Sequence, residues 1–226
     1  MKLNVLYEDN HLLVVEKPRN MPVQGDSSGD LDLLNAAKQW LVEKYNKPGD
    51  AFLGLVHRID RPVGGVILFG KTSKGASRIS NEIRLNRLDR KYMTIVRGIP
   101  KNKKGMLTDY LLKDTRRNIS AAVPKNTDGA KKSTLEYEVI GQDHEQDLSL
   151  VAVKLHTGRS HQIRVQLSHM GHPIYGDQKY GQHVNKPGQQ IALWANELAV
   201  KHPTKDEILT VSCKPPHEYP WTLFDI

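Results

Sequence analysis

An ionisable segment directly follows the apolar residues 53–56. Residues 57–65 read His-Arg-Ile-Asp-Arg-Pro-Val-Gly-Gly, with Asp60 close to Arg58 and next to Arg61. Turns at the ends of strands often carry functional side chains on a rigid scaffold, and neighbouring arginines favour the ionised form of a carboxyl group. The segment therefore predicts a reactive carboxylate at Asp60, with an aspartate held in a turn salt bridge as the alternative.

A second polar segment, residues 156–164, reads His-Thr-Gly-Arg-Ser-His-Gln-Ile-Arg. Gly158 permits a tight turn, and Ser160 is predicted to cap a helix that begins at Gln162. The dipole of a helix N-terminus and the guanidinium group of Arg164 suit a phosphate or a carboxylate. An ordinary helix cap with surface charges is the alternative.

A third segment places Tyr92 directly after Arg90 and Lys91, at the start of a predicted strand over residues 92–96. A tyrosine among cations can stack on a nucleobase, because every base offers an aromatic face. A half-buried tyrosine of an ordinary strand is the alternative interpretation.

The histidines of the chain do not predict a metal site. His156, His161, His169 and His172 lack the one-turn helical spacing that places two imidazoles side by side, and no carboxylate follows at a matching step before Asp177. The single cysteine excludes an intrachain disulfide and a cysteine-based zinc site. A metal-dependent hydrolase is kept as an alternative that metal analysis of the purified protein would test.

The charge of the chain indicates a polyanionic partner. The 226 residues carry a formal net charge of +8, and residues 84–117 hold 11 Lys or Arg against three Asp, which is also +8. A groove lined in this way attracts phosphates, whereas a solvated basic loop is the alternative. The longest apolar run, Val63–Gly70, is too short to span a bilayer, and no secretory segment opens the chain. We therefore expect an intracellular, cytoplasmic protein without a membrane partner.

The elements that would position these segments are mostly strands, which predicts an α+β fold with a largely antiparallel sheet and helices against it. Residues 105–130 are predicted to be irregular, with short β pieces. Asp30 and Ser73 are predicted helix caps, and Gly171 is predicted to end the third helix. Apolar periodicity predicts strands over residues 3–7, 12–16, 53–56, 65–70, 92–96, 134–140, 148–155, 191–200 and 207–213, and helices over 31–45, 73–88 and 162–170.

Five segments together resemble the RluA-type family of RNA pseudouridine synthases in their order and spacing. They are Val5–Pro18, Val56–Asp60, Lys91-Tyr92, Thr157–Val165 and Gly171–Asp177. The resemblance implies the pseudouridine synthase fold, a mixed, largely antiparallel sheet flanked by helices and loops with a catalytic cleft across it. It also implies a single catalytic domain over residues 1–226 without an S4 domain.

The chain departs from the family pattern at two places. Val63-Gly64-Gly65 stands where the family usually has Thr-Ser-Gly, and Leu193-Trp194-Ala195 stands where Leu-His-Ala is usual. The first departure removes two hydroxyl groups next to the predicted carboxylate. It favours the alternative function, a catalytically inactive RNA-binding or RNA-chaperone protein of the same fold.

The resemblance implies that the chain isomerises uridine in structured RNA, ribosomal or transfer RNA, to pseudouridine without a cofactor or metal. Asp60 would be the essential carboxylate, Arg164 would pair with it, and Tyr92 would stack on the uracil and could take the C2′ proton. Arg58 would fill the gap left by the flipped nucleotide. We expect a monomer that needs no obligate protein partner. The residues expected to contact RNA are Arg58, His57, Arg61, Arg90, Lys91, Arg159, His161 and Gln162.

Overall fold

The computed structural model describes residues 2–226, which form two compact units. The first unit contains the residues up to Asp89 together with Ala195–Lys214, and the second contains Arg90–Trp194 together with Pro215–Ile226. No helix in the described part of the chain is long and apolar enough to cross a membrane.

The first unit is built on an antiparallel hairpin that extends into a sheet. Its helices are α1 (Leu33–Tyr45) and α2 (Ser73–Arg84), and its strands follow the order β1-β2-β4-β10, with β3 paired to β4 and β11 paired to β10. The strands are β1 (Asn4–Glu8), β2 (Leu12–Lys17), β3 (Gly54–Leu55), β4 (Gly64–Gly70), β10 (Leu193–Lys201, which begins in the second unit) and β11 (Ile208–Ser212).

The core of the first unit lies between this sheet and α2. Alternate residues of β2 and β4 share one face of the sheet, and Leu12, Val14 and Leu68 pack there with Ile79 of α2. All seven residues of β4 are buried. The helix approaches the sheet closely, because a Cβ atom built on Gly70 would lie 2.6 Å from backbone atoms of Ala76.

The second unit is a meander of long antiparallel strands with one helix, α3 (Gln162–His169). Its strand order is β5-β9-β8-β6-β7, and each neighbouring pair is antiparallel. The strands are β5 (Asp89–Arg97), β6 (Lys104–Asp114), β7 (Ile119–Val123), β8 (Lys131–Asp143) and β9 (Leu148–Leu155), and a short 3₁₀ helix spans Trp221–Leu223.

The structure confirms the α+β class and the largely antiparallel sheet, and it corrects several helix ends. Asp32, not Asp30, caps α1, because its side chain accepts the backbone N–H of Asn35. Thr72 rather than Ser73 caps α2, and this helix ends at Arg84 because the chain turns into the left-handed conformation at Asn86 (φ 54°).

The prediction of an irregular segment over residues 105–130 was wrong. Residues 104–111 pair with residues 131–138 of β8, and β7 folds back onto β6. The many charges here lie on exposed side chains of strands, so tertiary pairing overrides the weak local β pattern.

The prediction that Ser160 caps α3 was also wrong. The residue before the helix is His161, which adopts a left-handed conformation (φ 55°) and makes no side-chain cap. The side chain of Gln162 folds back instead and accepts the N–H of Arg159 at 3.0 Å. The prediction that Gly171 ends this helix in a left-handed conformation is confirmed (φ 89°).

Candidate functional site

Asp60 lies in the turn that connects β3 to β4. The N–H of Val63 donates to the backbone carbonyl of Asp60 at 3.0 Å and closes this turn. Ile59 and Val63 are 8% and 1% exposed and fix the turn to the core on both sides, whereas the Asp60 residue is only partly buried. The carboxylate is thus carried by a backbone whose position is set by buried neighbours.

Lys17, at the end of β2, ties a second segment to this turn. Its side chain is fully buried, and its ammonium group donates to the carbonyl oxygens of Pro18 (2.9 Å), Met21 (2.7 Å) and Arg61 (2.9 Å). Burial lowers the pKa of Lys17 to about 7, and the charge of Asp60 acts in the opposite direction. The sequence analysis did not identify this residue. Its only signal was a lysine placed at the end of an apolar strand.

His57 is oriented by the neighbouring strand β4. The backbone N–H of Leu68 donates to Nε2 of His57 at 3.0 Å, so the imidazole is an acceptor at this nitrogen and carries its proton on Nδ1. The ring is half-buried. In the structure His57 therefore helps to hold the start of the 57–65 segment, and its predicted contact with RNA stays a prediction.

The two arginines beside Asp60 have different surroundings. Arg58 is exposed. The guanidinium group of Arg61 donates to Asp26 (3.4 Å), Ser28 (3.0 Å) and Asp30, and so holds the loop over residues 26–30. These carboxylates compete with any phosphate for Arg61.

In the second unit, strand β5 presents the third predicted segment. Tyr92 is 8% exposed and lies opposite Val153 of β9. Lys91 is exposed and lies opposite Lys154. Because side chains alternate along a strand, Arg90 projects to the same face as Tyr92 and Lys91 to the other face.

Arg164 forms a buried ion pair with Asp177, a partner that the sequence analysis did not predict. Its Nε and Nη2 donate to the two carboxylate oxygens of Asp177, each at 2.8 Å. Asp177 is 1% exposed, and its Oδ1 also accepts the N–H groups of Lys179 and Tyr180 at 2.9 and 3.1 Å. Burial alone would raise the pKa of Asp177, but the guanidinium group and the two amides outweigh it and hold this pKa below its usual value.

The paired, two-point contact fixes both the position and the plane of the Arg164 guanidinium. Its Cζ also lies 5.1 Å from the centre of the Tyr180 ring. The only sequence signal for Asp177 was its place at the end of the fifth family segment. The predicted pairing of Arg164 with Asp60 stays a prediction.

The predicted RNA contacts around the 157–162 turn divide into buried and exposed side chains. His161 is 9% exposed, and its Nδ1 lies 2.6 Å from the hydroxyl of Tyr180. Gln162 is 2% exposed and bonds to Thr157 and to the backbone of Arg159. Both side chains thus stabilise the turn, and Arg159 is the exposed side chain among the three predicted contacts.

Metal-ligating groups are dispersed. Within residues 2–226, no three His, Cys, Asp or Glu side chains are grouped so that they could hold a metal ion.

Comparison with known proteins gives a consistent result. Residues 11–169 match the protein family described as RNA pseudouridylate synthase. The chain is 31% identical over 213 residues to the uncharacterised RNA pseudouridine synthase YhcT of Bacillus subtilis (strain 168), covering 92% of this chain and 67% of that protein. It is 30% identical over 213 residues to the ribosomal large subunit pseudouridine synthase C of Yersinia pestis, covering 92% and 64%.

A solved structure shows the same fold. The human RNA pseudouridylate synthase domain containing 4 superposes with a TM-score of 0.78 at 22% identity, over 94% of this chain and 88% of that one.

Proposed function

Since the chain belongs to the RNA pseudouridylate synthase family, and is thus an isomerase that acts on RNA, we propose that it converts specific uridines of structured RNA to pseudouridine. Relatives named as ribosomal large subunit pseudouridine synthases favour ribosomal RNA as the substrate, with transfer RNA as the second candidate.

The proposed reaction breaks the bond from N1 of uracil to C1′ of the ribose and forms a bond from C5 to C1′. C5 gives up its proton and N1 gains one, so the product is an isomer of the substrate. No electron or group is gained or lost, and we therefore propose that the reaction needs no cofactor. The target nucleotide must leave the stacked helix, because its C1′ is otherwise out of reach.

We assign the essential carboxylate to Asp60. The observation that carries this assignment is the anchored turn, with buried neighbours on both sides and the Lys17 ammonium on the carbonyl of Arg61. Effective catalysis needs a reacting group that is held in place before the substrate arrives. Three roles are open to the Asp60 carboxylate: attack at C1′, attack at the uracil ring, or assistance to deprotonation at C2′.

Tyr92 and Arg164 complete the proposed catalytic set. The proposed role of Tyr92 is to stack on the uracil ring and to accept the C2′ proton. For Arg164, the proposed role is to keep the essential carboxylate ionised, and its buried pair with Asp177 supports a guanidinium of fixed orientation. The exposed side chain of Arg58 is consistent with insertion into the gap that a flipped nucleotide leaves.

The test is a map of pseudouridine at single-nucleotide resolution in RNA from cells with and without the gene. We expect one or a few uridines to lose the modification without the gene. The purified protein alone should restore it on RNA from the deleted strain, since the proposal requires no partner protein. If the protein binds this RNA but modifies no uridine in either experiment, the proposal fails and the inactive RNA-binding protein of the same fold is favoured.

A further inference from the structure

Arg90, at the start of β5, carries a guanidinium group without an anionic partner among the described residues. Within residues 2–226 the structure gives this side chain neither a hydrogen bond nor an ion pair, and its Nε is buried. Buried donors in native proteins almost always have an acceptor, and a cationic donor gains most from an anionic one. Because Nε is closed to solvent and the residue as a whole is only partly buried, an anion from outside the chain would meet this guanidinium at its terminal nitrogens, Nη1 and Nη2.

Gly158 provides the surface against which this guanidinium lies. A Cβ atom built on Gly158 would be 2.4 Å from Nη1 of Arg90 and 3.2 Å from both its Cζ and Nη2. The turn that carries Gly158 is itself held by Gln162, which bonds to Thr157 and to the N–H of Arg159. Arg90 is thus positioned by contact with a fixed backbone rather than by a countercharge.

The cation next to this pair adds to its attraction for anions. Arg159 directly follows Gly158, is exposed, and donates from Nε to the backbone carbonyl of Lys132 at 3.4 Å. The exposed Lys132 lies on β8. Arginine is well suited to phosphate, because its planar fork offers two parallel N–H donors.

The position of Arg90 relative to Tyr92 indicates which phosphate of an RNA strand Arg90 would bind. The two residues are two steps apart on the same face of β5, so their Cα atoms are roughly 7 Å apart along the strand. This is comparable with the reach from a uracil ring to the phosphates of its own nucleotide. A uridine stacked on Tyr92 would bring a flanking phosphate within reach of Arg90.

We propose that Arg90, held against Gly158, binds a phosphate that flanks the target uridine. The inference rests on the proposed function, because it takes the place of the uridine from Tyr92. One guanidinium group would thus recognise one phosphodiester of an RNA strand. Gly158 is the positioning residue, because its missing side chain leaves room for the Arg90 guanidinium.

The first experiment measures RNA affinity as a function of salt for wild type, Arg90→Gln and the control Arg78→Gln. Arg78 is an exposed arginine of α2, outside residues 84–117, that donates to the backbone carbonyl of Pro203, so its substitution removes the same charge elsewhere. Loss of one charged phosphate contact should weaken binding roughly tenfold. It should also reduce the slope of log K against log salt by about 0.7 to 0.9. Because ground state and transition state share this contact, KM should rise while kcat stays nearly constant.

The second experiment uses wild-type protein and an RNA whose target-flanking phosphates are replaced, one at a time, by a neutral methylphosphonate. One replacement should weaken binding as much as Arg90→Gln does, and should have no further effect on the Arg90→Gln protein. This arm tests the proposal on the native protein even if Arg90→Gln fails to fold.

Gly158→Ala keeps the charge but displaces the guanidinium, since the new methyl group would lie 2.4 Å from Nη1. We expect a smaller loss of affinity than for Arg90→Gln, and no further loss when the two substitutions are combined. Three results would overturn the proposal: an equal loss of affinity in Arg78→Gln, no effect of any methylphosphonate, or additive effects of methylphosphonate and Arg90→Gln. A wild-type protein that makes no pseudouridine refutes the proposed function instead.

Discussion

The substitution Asp177→Asn tests the buried pair that orients Arg164. In the native protein the carboxylate accepts four hydrogen bonds, from Nε and Nη2 of Arg164 and from the N–H groups of Lys179 and Tyr180. Asparagine can keep its oxygen at the Oδ1 position, where three of these donors meet. Its amide group then faces Nε of Arg164, so one donor meets another, and the guanidinium loses the negative charge of Asp177.

The expected cost follows from this geometry. Removal of one partner from a buried ion pair destabilises a protein by about 3–5 kcal/mol, and the three hydrogen bonds that asparagine retains place this substitution at about 3 kcal/mol. With a urea dependence of about 2–3 kcal/mol per molar, the unfolding midpoint should fall by roughly 1 to 1.5 M. Loss of the fixed guanidinium plane should also lower kcat by at least about tenfold.

Urea unfolding at several pH values is the assay, with Asp128→Asn, in the exposed turn between β7 and β8, as the control. The pKa of Asp177 is lowered in the folded protein, so its stabilising contribution is complete above the ordinary carboxyl pKa and is lost as the pH falls through the folded value. The difference between wild type and Asp177→Asn should therefore shrink below about pH 4. A midpoint and kcat equal to those of wild type at pH 7 would refute the reasoning.

Three further substitutions test the first unit by urea unfolding. Lys17→Met removes the donor from three partly buried hydrogen bonds to carbonyl oxygens and should cost about 3 kcal/mol. Because burial lowers the pKa of Lys17 in the folded protein to about 7, only the unfolded chain keeps this proton between about pH 7 and pH 10, so the stability of wild type relative to Lys17→Met should rise over that range. Gly65→Ala should prevent stable folding, since φ is 119° and the new Cβ would lie 2.2 Å from the carbonyl oxygen of Ala195; a midpoint near that of wild type would contradict this. Burial would raise the pKa of Glu8, but the contacts with Lys44 and Lys71 outweigh it and lower this pKa to about 2. The free energy of unfolding of Glu8→Gln should therefore fall less than that of wild type between about pH 4.5 and pH 2. An equal fall in both proteins would count against the two lysine contacts.

Much of the strand pattern could be predicted from local sequence. Strand β9 spans Leu148–Leu155 as predicted, and β2 and β4 differ from their predictions by one residue at one end. These strands are short apolar runs bounded by polar residues. The hairpin of β6 and β7 could not be predicted in the same way, because its exposed positions carry charges and its order comes from pairing with β8.

The site shows the same division between local and long-range contacts. The Asp60 turn was predictable, since an apolar run, the polar residues and the glycines are adjacent in sequence. The contacts that fix the candidate residues join positions that are distant in sequence, within each unit taken by itself. Lys17 reaches the carbonyl of Arg61 across 44 positions, and Arg164 reaches Asp177 across 13. No local pattern encodes such pairs.

The most direct measurement of the central assignment compares wild type with Asp60→Asn on RNA that lacks pseudouridine at the mapped site. Asp206→Asn, at an exposed aspartate of the first unit, is the matched control. Asparagine preserves the size of the side chain and removes its charge. The assignment predicts that Asp60→Asn binds the RNA as tightly as wild type and forms no pseudouridine, whereas Asp206→Asn forms it at the wild-type rate. Product formation by Asp60→Asn at a rate close to that of wild type would contradict it.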